Sequence, residues 1–301
     1  MRGMTVMAYR ACIICSLILA LSLFSCSKDG QQGKGTYTKI VSLSPSITRQ
    51  IVDLGSEEFL AGVTSYHPPL KKKVPVIGTI TRPNIELIML TAPDVVFCSE
   101  EDQGVQNISR ITAAGINVVV FPRALTFADL ARNYEKLGRC IGRESVAAAK
   151  LKQYREEYDS LVNNNAEKRI HEKVTVAFIV SQRPLIVVSG KSFIGNIIRD
   201  AGGRNMYESA GLPYPIISPE SLVHEDPDMV LSIIPGTAVF LKNIFKGIRC
   251  SSLASGSVYD IKPDHVAYYT VSDYLVSVTE VSALIKQTGQ KIDSPERGPR
   301  R

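Results

Sequence analysis

Tryptophan is absent from the 301 residues, and histidine occurs only four times, as His67, His171, His224 and His265. A site for a free zinc or manganese ion needs three His, or two His with carboxylates, converging on one point. Here His171 lies by the charged end of a helical stretch and His224 in a short helix before Pro227, so convergence is poor. No GxSxG or HExxH occurs, and no cysteine lies near a histidine, so no nucleophile can be matched with its base and an enzyme is not expected. "SGKS", Ser189–Ser192, opens a helix after a strand as the end of a phosphate-binding loop does. The glycine such a loop needs five residues before Gly190 is instead Leu185, inside the strand. Basic and acidic residues are interspersed and the formal charge is only +6, which leaves no concentrated basic face for nucleic acid.

One apolar run stands out, "ACIICSLILALSLF", Ala11–Phe24, too short to cross a bilayer with margin. Arg2 and Arg10 precede it without any acid, the pattern of a signal peptide over residues 1–25. "LFSC", Leu23–Cys26, resembles a bacterial lipobox, which makes Cys26 the expected lipidated N-terminus of an extracytoplasmic, membrane-anchored protein. Several acyl chains, each buried methylene adding about 0.8 kcal/mol, hold such a protein firmly. Residues 26–38 are polar and Gly-rich, as a tether should be. Loss of Arg2 and Arg10 takes the charge from +6 to +4 and leaves Cys98, Cys140 and Cys250 beside the modified Cys26. Three thiols cannot all pair, and they show no CxxC or Cys/His zinc spacing, so neither a disulfide scaffold nor a structural metal site is expected.

From Lys39 onward short apolar runs alternate with amphipathic segments, the pattern of parallel β/α architecture. Strands are expected at "KIVSL", "LAGVTS", "VPVIG", "DVVFCS" and "INVVVF", with helices at "SPSITRQIVDLG", "PNIELIML" and "GVQNISRITAAG". They make up an N-terminal lobe over residues 39–143. Residues 144–172 read as one long linking helix, with Val146, Leu151, Tyr154, Tyr158 and Leu161 on roughly one face. The alternation restarts over residues 173–289 and ends in a helix at "SDYLVSVTEVSALIKQTG"; residues 290–301 read as a disordered tail. The fold class is α/β: two Rossmann-like β/α lobes joined by one long interlobe helix, stiff enough that the lobes rock little.

Each lobe carries the same short passage, "IELIMLTAPDVVF" from Ile85 and "PESLVHEDPDMVL" from Pro219. In both, Pro-Asp follows a Glu by seven and eight residues and leads into a β-prone run. A Glu in a helix's first turn is favoured by the helix dipole alone, but identical spacing in matching lobes asks for a common purpose.

With "KIVSLSPSITRQIVDLG", "VTSYHPP", "SGKSFIGNIIRDAGGRNMY" and "LPYPIISPESLVHEDPDMVL", these passages resemble the substrate-binding proteins of cobalamin, haem and siderophore ABC importers, in which one helix bridges two α/β lobes. The resemblance covers Lys39 to Gly289. It implies that Glu86 and Glu220 dock onto Arg residues of a dimeric permease, which works with separate ATPase subunits. It also implies a cargo between the lobes, a corrinoid first and haem or a siderophore second, with Tyr66 and Tyr214 against the ring, and no catalytic cofactor. Tryptophans favoured in cobalamin binders are replaced here by Ile80, Ser99 and Tyr214. Tyr66 or His67 is an alternative source of an axial ligand to haem iron, and Arg82 and Arg183 of partners for propionates. A free-metal lipoprotein of similar architecture and a surface interaction protein that keeps the fold are the rival readings.

Overall fold

The computed structural model describes residues 36–167 and 174–293. The signal peptide, Cys26 and His171 lie outside them.

In the first lobe four parallel strands, β1 (Ile40–Ser42), β2 (Leu60–Val63), β3 (Val95–Ser99) and β4 (Val118–Phe121), lie in the order β2-β1-β3-β4. The segments β1 and β3 are apolar almost throughout because helices cover both faces of the sheet. Those helices are α1 (Pro45–Asp53), α2 (Ile85–Thr91), α3 (Val105–Ala113) and α4 (Phe127–Cys140). "VPVIG" is not a strand; it is a loop joined to the sheet by one parallel bridge, Val63 to Val76. Its proline, Pro75, has no N–H to donate to a ladder, and Gly78 has no side chain to pack there. The 14-residue helix α4 was not among the expected elements. It opens on a capping box in which Thr126 and Asp129 satisfy each other's backbone donors.

The linking helix α5 (Glu144–Glu167) leads to the second lobe. There β5 (Thr175–Gln182) pairs in parallel with β8 (Met229–Ser232), which pairs in parallel with β9 (Val258–Asp260). Two further strands, β6 (Leu185–Val187) and β7 (Arg204–Asn205), both pair with β5. β6 departs from the parallel pattern. Only Arg183 and Pro184 separate it from β5, too short a link for a crossover, so the two form an antiparallel hairpin. The remaining helices are α6 (Phe193–Asp200), α7 (Pro219–Glu225), α8 (Thr237–Phe245), α9 (Ser251–Ala254), α10 (Asp264–Ala267) and α11 (Val271–Asp293). α11 runs four residues past Gly289, into the stretch expected to be a disordered tail. It stays ordered there because Ile292 packs on the core and Lys291 reaches the Gly256 carbonyl at 3.3 Å.

One hydrophobic cluster runs through both lobes, from Ile40 and Phe97 through Tyr134, Leu151 and Tyr274 to Phe178 and Leu231, and a smaller cluster fills the far face of each sheet. Two carboxylates tie the linking helix to either side. Asp53, at the end of α1, accepts hydrogen bonds from Tyr134, from Lys150 at 2.9 Å and from Tyr154 at 3.3 Å. Asp200, at the end of α6, accepts from Tyr158 at 2.9 Å and Tyr274 at 2.6 Å. Tyr154 and Tyr158 are one helical turn apart, so one stripe of α5 holds both lobes. Burial, with the neighbouring carboxylates next, raises the pKa of all four phenols, Tyr154 to about 12, so they stay protonated donors.

Candidate functional site

The twin passages fold alike. α2 and α7 are both seven residues long, and their N-cap side chains, Asn84 and Ser218, each accept from a backbone N–H at 3.1 Å. Glu86 and Glu220 follow in the first turn, and both are exposed. Each helix ends on a non-glycine residue in the left-handed region, Ala92 (φ 43°) and Asp226 (φ 42°), and then Pro-Asp returns the chain to a strand. Asp94 accepts from the N–H groups of Thr38 at 3.1 Å and Lys39 at 2.8 Å, just ahead of β1. Asp228 accepts from the Thr175 N–H at 3.1 Å and hydroxyl at 2.8 Å, at the start of β5. The Pro-Asp therefore serves the fold, fastening the first strand of each lobe. The Glu residues do no such work, and the backbone N–H and the Ser218 hydroxyl beside Glu220 lower its pKa.

Loops at the carboxyl ends of the strands form the upper surface of each lobe, where ligands sit in open α/β sheets. Tyr66 and His67 follow β2; Tyr66 is 67% exposed, and His67 Nδ1 lies 2.7 Å from the Pro68 carbonyl oxygen. Arg82 is exposed at the tip of a tight turn. That turn requires Gly78: its φ is +118°, and a Cβ there would meet the Arg82 carbonyl oxygen at 2.5 Å. Arg183 is exposed in the β5–β6 turn, and Tyr214 is 41% exposed in the loop before α7. Of these five, Tyr214 is the one drawn into a cluster with the opposite lobe.

That cluster was missed in the sequence. Glu101, after β3, has its Oε2 2.7 Å from Nε of Arg123, after β4. The Glu101 side chain is 18% exposed and that of Arg123 56%. The two loops are fixed to each other by Glu100, which accepts from the Arg123 N–H at 3.0 Å and donates its own N–H to the Phe121 carbonyl at 3.0 Å. Tyr269 reaches Glu101 and Tyr214, and burial, then the Glu101 and Tyr214 surroundings, hold its phenol protonated. Tyr269 is placed by a strap, Tyr268–Thr270, that leads into the first turn of α11 and lies against α1. Its N–H donates to Ser46 Oγ at 3.1 Å, and Asp273 takes both Arg49 Nε (3.0 Å) and an Nη (2.8 Å), while the Arg49 guanidinium lies 4.3 Å from the centre of the Tyr268 ring. Between Ser44, Ser46, Ser99, Glu101 and Tyr269 a cavity of about 20 Å³ remains, space for one water-sized group. The signals were Tyr-Tyr before the last helix and an acid directly after an apolar strand, but neither predicts the other.

Other candidates have structural employment. Lys191 of "SGKS" donates to the Gly211 carbonyl at 3.1 Å, and Ser192 caps α6. Cys98 and Cys250 are buried and Cys140 half-buried, all as free thiols; burial pushes the Cys98 thiol up to about 12. Among the described residues, no three His, Cys, Asp or Glu side chains group as metal ligands, and no helix is long and apolar enough to cross a membrane.

The sequence profile described as periplasmic binding protein matches residues 40–243, which covers the first lobe, the linking helix and the second lobe as far as α8. The chain belongs to the periplasmic binding protein family. Within it, the vitamin B12-binding protein of Vibrio campbellii is 22% identical over 206 residues, 68% of this chain and 74% of that one. The crystal structure of the periplasmic vitamin B12 binding protein of Vibrio cholerae superposes with a TM-score of 0.72 at 19% identity, over 84% of this chain and 98% of that one. The periplasmic heme-binding protein of Roseiflexus sp. RS-1, in apo form, gives 0.74 at 20% identity, over 85% and 100%. The periplasmic binding protein fold thus accounts for both β/α lobes and the helix between them.

Proposed function

We propose that this protein captures a metal-chelate ring between its lobes, a corrinoid ahead of haem, and hands it to the permease of an ABC importer while a lipid on Cys26 holds it outside the cytoplasm. The observation that carries this reading is the family match over residues 40–243, joined with the names of the relatives, which specify vitamin B12. The geometry supports a ring as cargo. Tyr66 and Tyr214, one from each lobe, leave aromatic area open at the carboxyl ends of the strands, and aromatic faces contribute contact area at little entropic cost.

Haem is the second reading, and His67 is the residue that keeps it open. With Nδ1–H donating to the Pro68 carbonyl, Nε2 keeps its lone pair, the arrangement in which a histidine commonly ligates a metal. Arg82 and Arg183 are exposed and free to meet propionates or other acidic groups.

Titration of the purified protein with cyanocobalamin, cobinamide and hemin tests the reading. A corrinoid should bind most tightly, and Tyr214→Ala should weaken it by about 2 kcal/mol, near thirtyfold. Binding of none of the three at micromolar concentration, together with tight binding of Zn²⁺ or Mn²⁺, would overturn the assignment in favour of a free-metal carrier. Binding of none of these ligands, with the protein's function unchanged after both tyrosines are truncated, would instead favour a surface interaction protein. The intact mass of the membrane-extracted chain reports whether Cys26 is its acylated N-terminus.

A further inference from the structure

Residues 212–217 are not part of a regular strand, yet they run extended beside the edge of β6. The Pro213 carbonyl accepts from the Ser189 N–H at 3.0 Å and the Pro215 carbonyl from the Val187 N–H at 3.1 Å, while the Ile217 N–H donates to the Leu185 carbonyl at 3.0 Å. An antiparallel bridge joins Ile186 to Ile216. Successive side chains of such a segment point to opposite faces, and the burial follows suit. Pro213, Pro215 and Ile217 are half-buried, with Ile217 packed on the core of its lobe. Leu212, Tyr214 and Ile216, on the other face, are 66%, 41% and 69% exposed.

Tyr214 fixes the direction in which that face looks. Its phenol reaches Tyr269, on the strap that lies against α1, and comes near Glu101 and Arg123. The stripe is therefore turned toward the first lobe, at the carboxyl ends of its strands. Leu212 and Ile216 flank Tyr214 on either side, four residues or about 13 Å apart. Two large aliphatic side chains left open in a cleft forgo the stabilisation of burial, which an occupant can restore.

We propose that Leu212 and Ile216 are cargo contacts that, with the ring of Tyr214, form an apolar wall selecting a cargo with a broad apolar face, a tetrapyrrole-type ring, over polar iron chelates. The proposal rests on the reading of the cleft as a cargo site. Apart from the Tyr214 hydroxyl, which is directed at Tyr269, the wall's side chains offer no donor or acceptor. A hydrophilic chelate laid against it would lose water from its polar groups with nothing to replace it. The face of a large ring would instead gain from each methyl and methylene it covers. Selection thus falls on the breadth and polarity of the cargo's face rather than on its metal. The permease is the competing occupant, and the turn of Tyr214 toward the first lobe rather than outward favours the cargo.

Calorimetric titration of the wild type, Leu212→Ser and Ile216→Thr with cobinamide, hemin and ferric citrate, at several temperatures, tests this. The wild type should bind a ring with a negative heat-capacity change. Each substitution should weaken that ring by about fivefold to tenfold and shrink the heat-capacity change. Ile248→Thr, at a side chain 59% exposed beyond the end of α8, should do neither. A thermal melt checks folding; if Leu212→Ser is impaired, Ile216→Thr, which keeps a β-branched side chain, carries the comparison. Ring affinity and heat-capacity change unaltered in both variants, or matched by Ile248→Thr, would overturn the proposal and leave the ring reading standing. Normal ring affinity with reduced uptake would also overturn it, giving the stripe to the permease, as would a wild type that prefers ferric citrate to both rings. Binding of none of the three would reject the reading of the cleft, and the proposal with it.

Discussion

At the scale of single residues, the two Pro-Asp aspartates do the same job in different surroundings, which makes them a test of what burial adds. Asp228 is 3% exposed and exchanges hydrogen bonds with Thr175, while Asp94 is exposed and accepts from Thr38 and Lys39. Asp228→Ala should cost about 2–3 kcal/mol in a urea melt, because buried donors lose their partner, and Asp94→Ala about 1 kcal/mol, because water replaces it. The N–H groups of Thr38 and Lys39 lower the Asp94 pKa below its ordinary 3.8. A depressed carboxylate stabilises the fold above its unfolded pKa and ceases to as pH falls through the folded one. Stability of the wild type should therefore drop below about pH 4 partly through Asp94, and Asp94→Asn should flatten that slope; an unchanged slope would remove Asp94 from the account. These positions were visible in the sequence because the corner repeats, although the strand start that each aspartate fastens lies 56 or 53 residues earlier. Glu101, Arg123 and Tyr269 were not, since their meeting depends on a strap and two loops brought together from distant parts of the chain.

At the scale of elements, the linking helix is held by its tyrosines, and these should not be equal. Tyr158 stacks on Phe127 at 4.1 Å with the planes 5° apart and donates to Asp200 at 2.9 Å. Tyr154 donates to Asp53 at 3.3 Å, where Lys150 and Tyr134 also donate. Tyr158→Phe keeps the stack and loses the hydrogen bond, at a cost of about 1–2 kcal/mol; Tyr154→Phe should cost less than about 1 kcal/mol. Cargo affinity should stay put in both, and an inverted order in denaturant melts would mean that Asp200 is not the anchor it looks to be. The long helix was plain from its periodicity, but α4 was not, although Thr126, Asp129 and the apolar positions Leu130, Tyr134 and Leu137 all mark it. Gly138 is part of the reason: it weakens the helical signal, yet a Cβ there would meet the Ala147 Cβ at 2.6 Å, so α4 and α5 cross closely only because it is glycine. Strand direction was also opaque to hydropathy, and the β5–β6 hairpin was recoverable only from the two residues between its strands.

At the scale of the whole molecule, the symmetry of the two lobes bears on what Glu86 and Glu220 are for. Each sits in the first turn of the helix that precedes the strand paired with its lobe's first strand, β3 beside β1 and β8 beside β5. The two acids thus occupy equivalent places on two equivalent lobes. A two-fold permease offers two like sites, and two acids can meet them together only if the distance between them is fixed. The continuous core, the two aspartate anchors on α5 and the Arg49–Asp273 pair all act to fix it. Exposed acids that pair with permease arginines would set register and a salt-sensitive on-rate more than affinity. Replacing either Glu with Lys should leave cargo affinity unchanged while uptake through the intact transporter falls sharply, and the double change should abolish uptake. If the helix dipole were the whole reason for the acids, each substitution would cost only about 0.3–1 kcal/mol of stability with transport intact. Cargo titration and uptake measured on the same three variants separate these outcomes, and normal uptake with both charges reversed would reduce the repeated corner to a device for fastening strands.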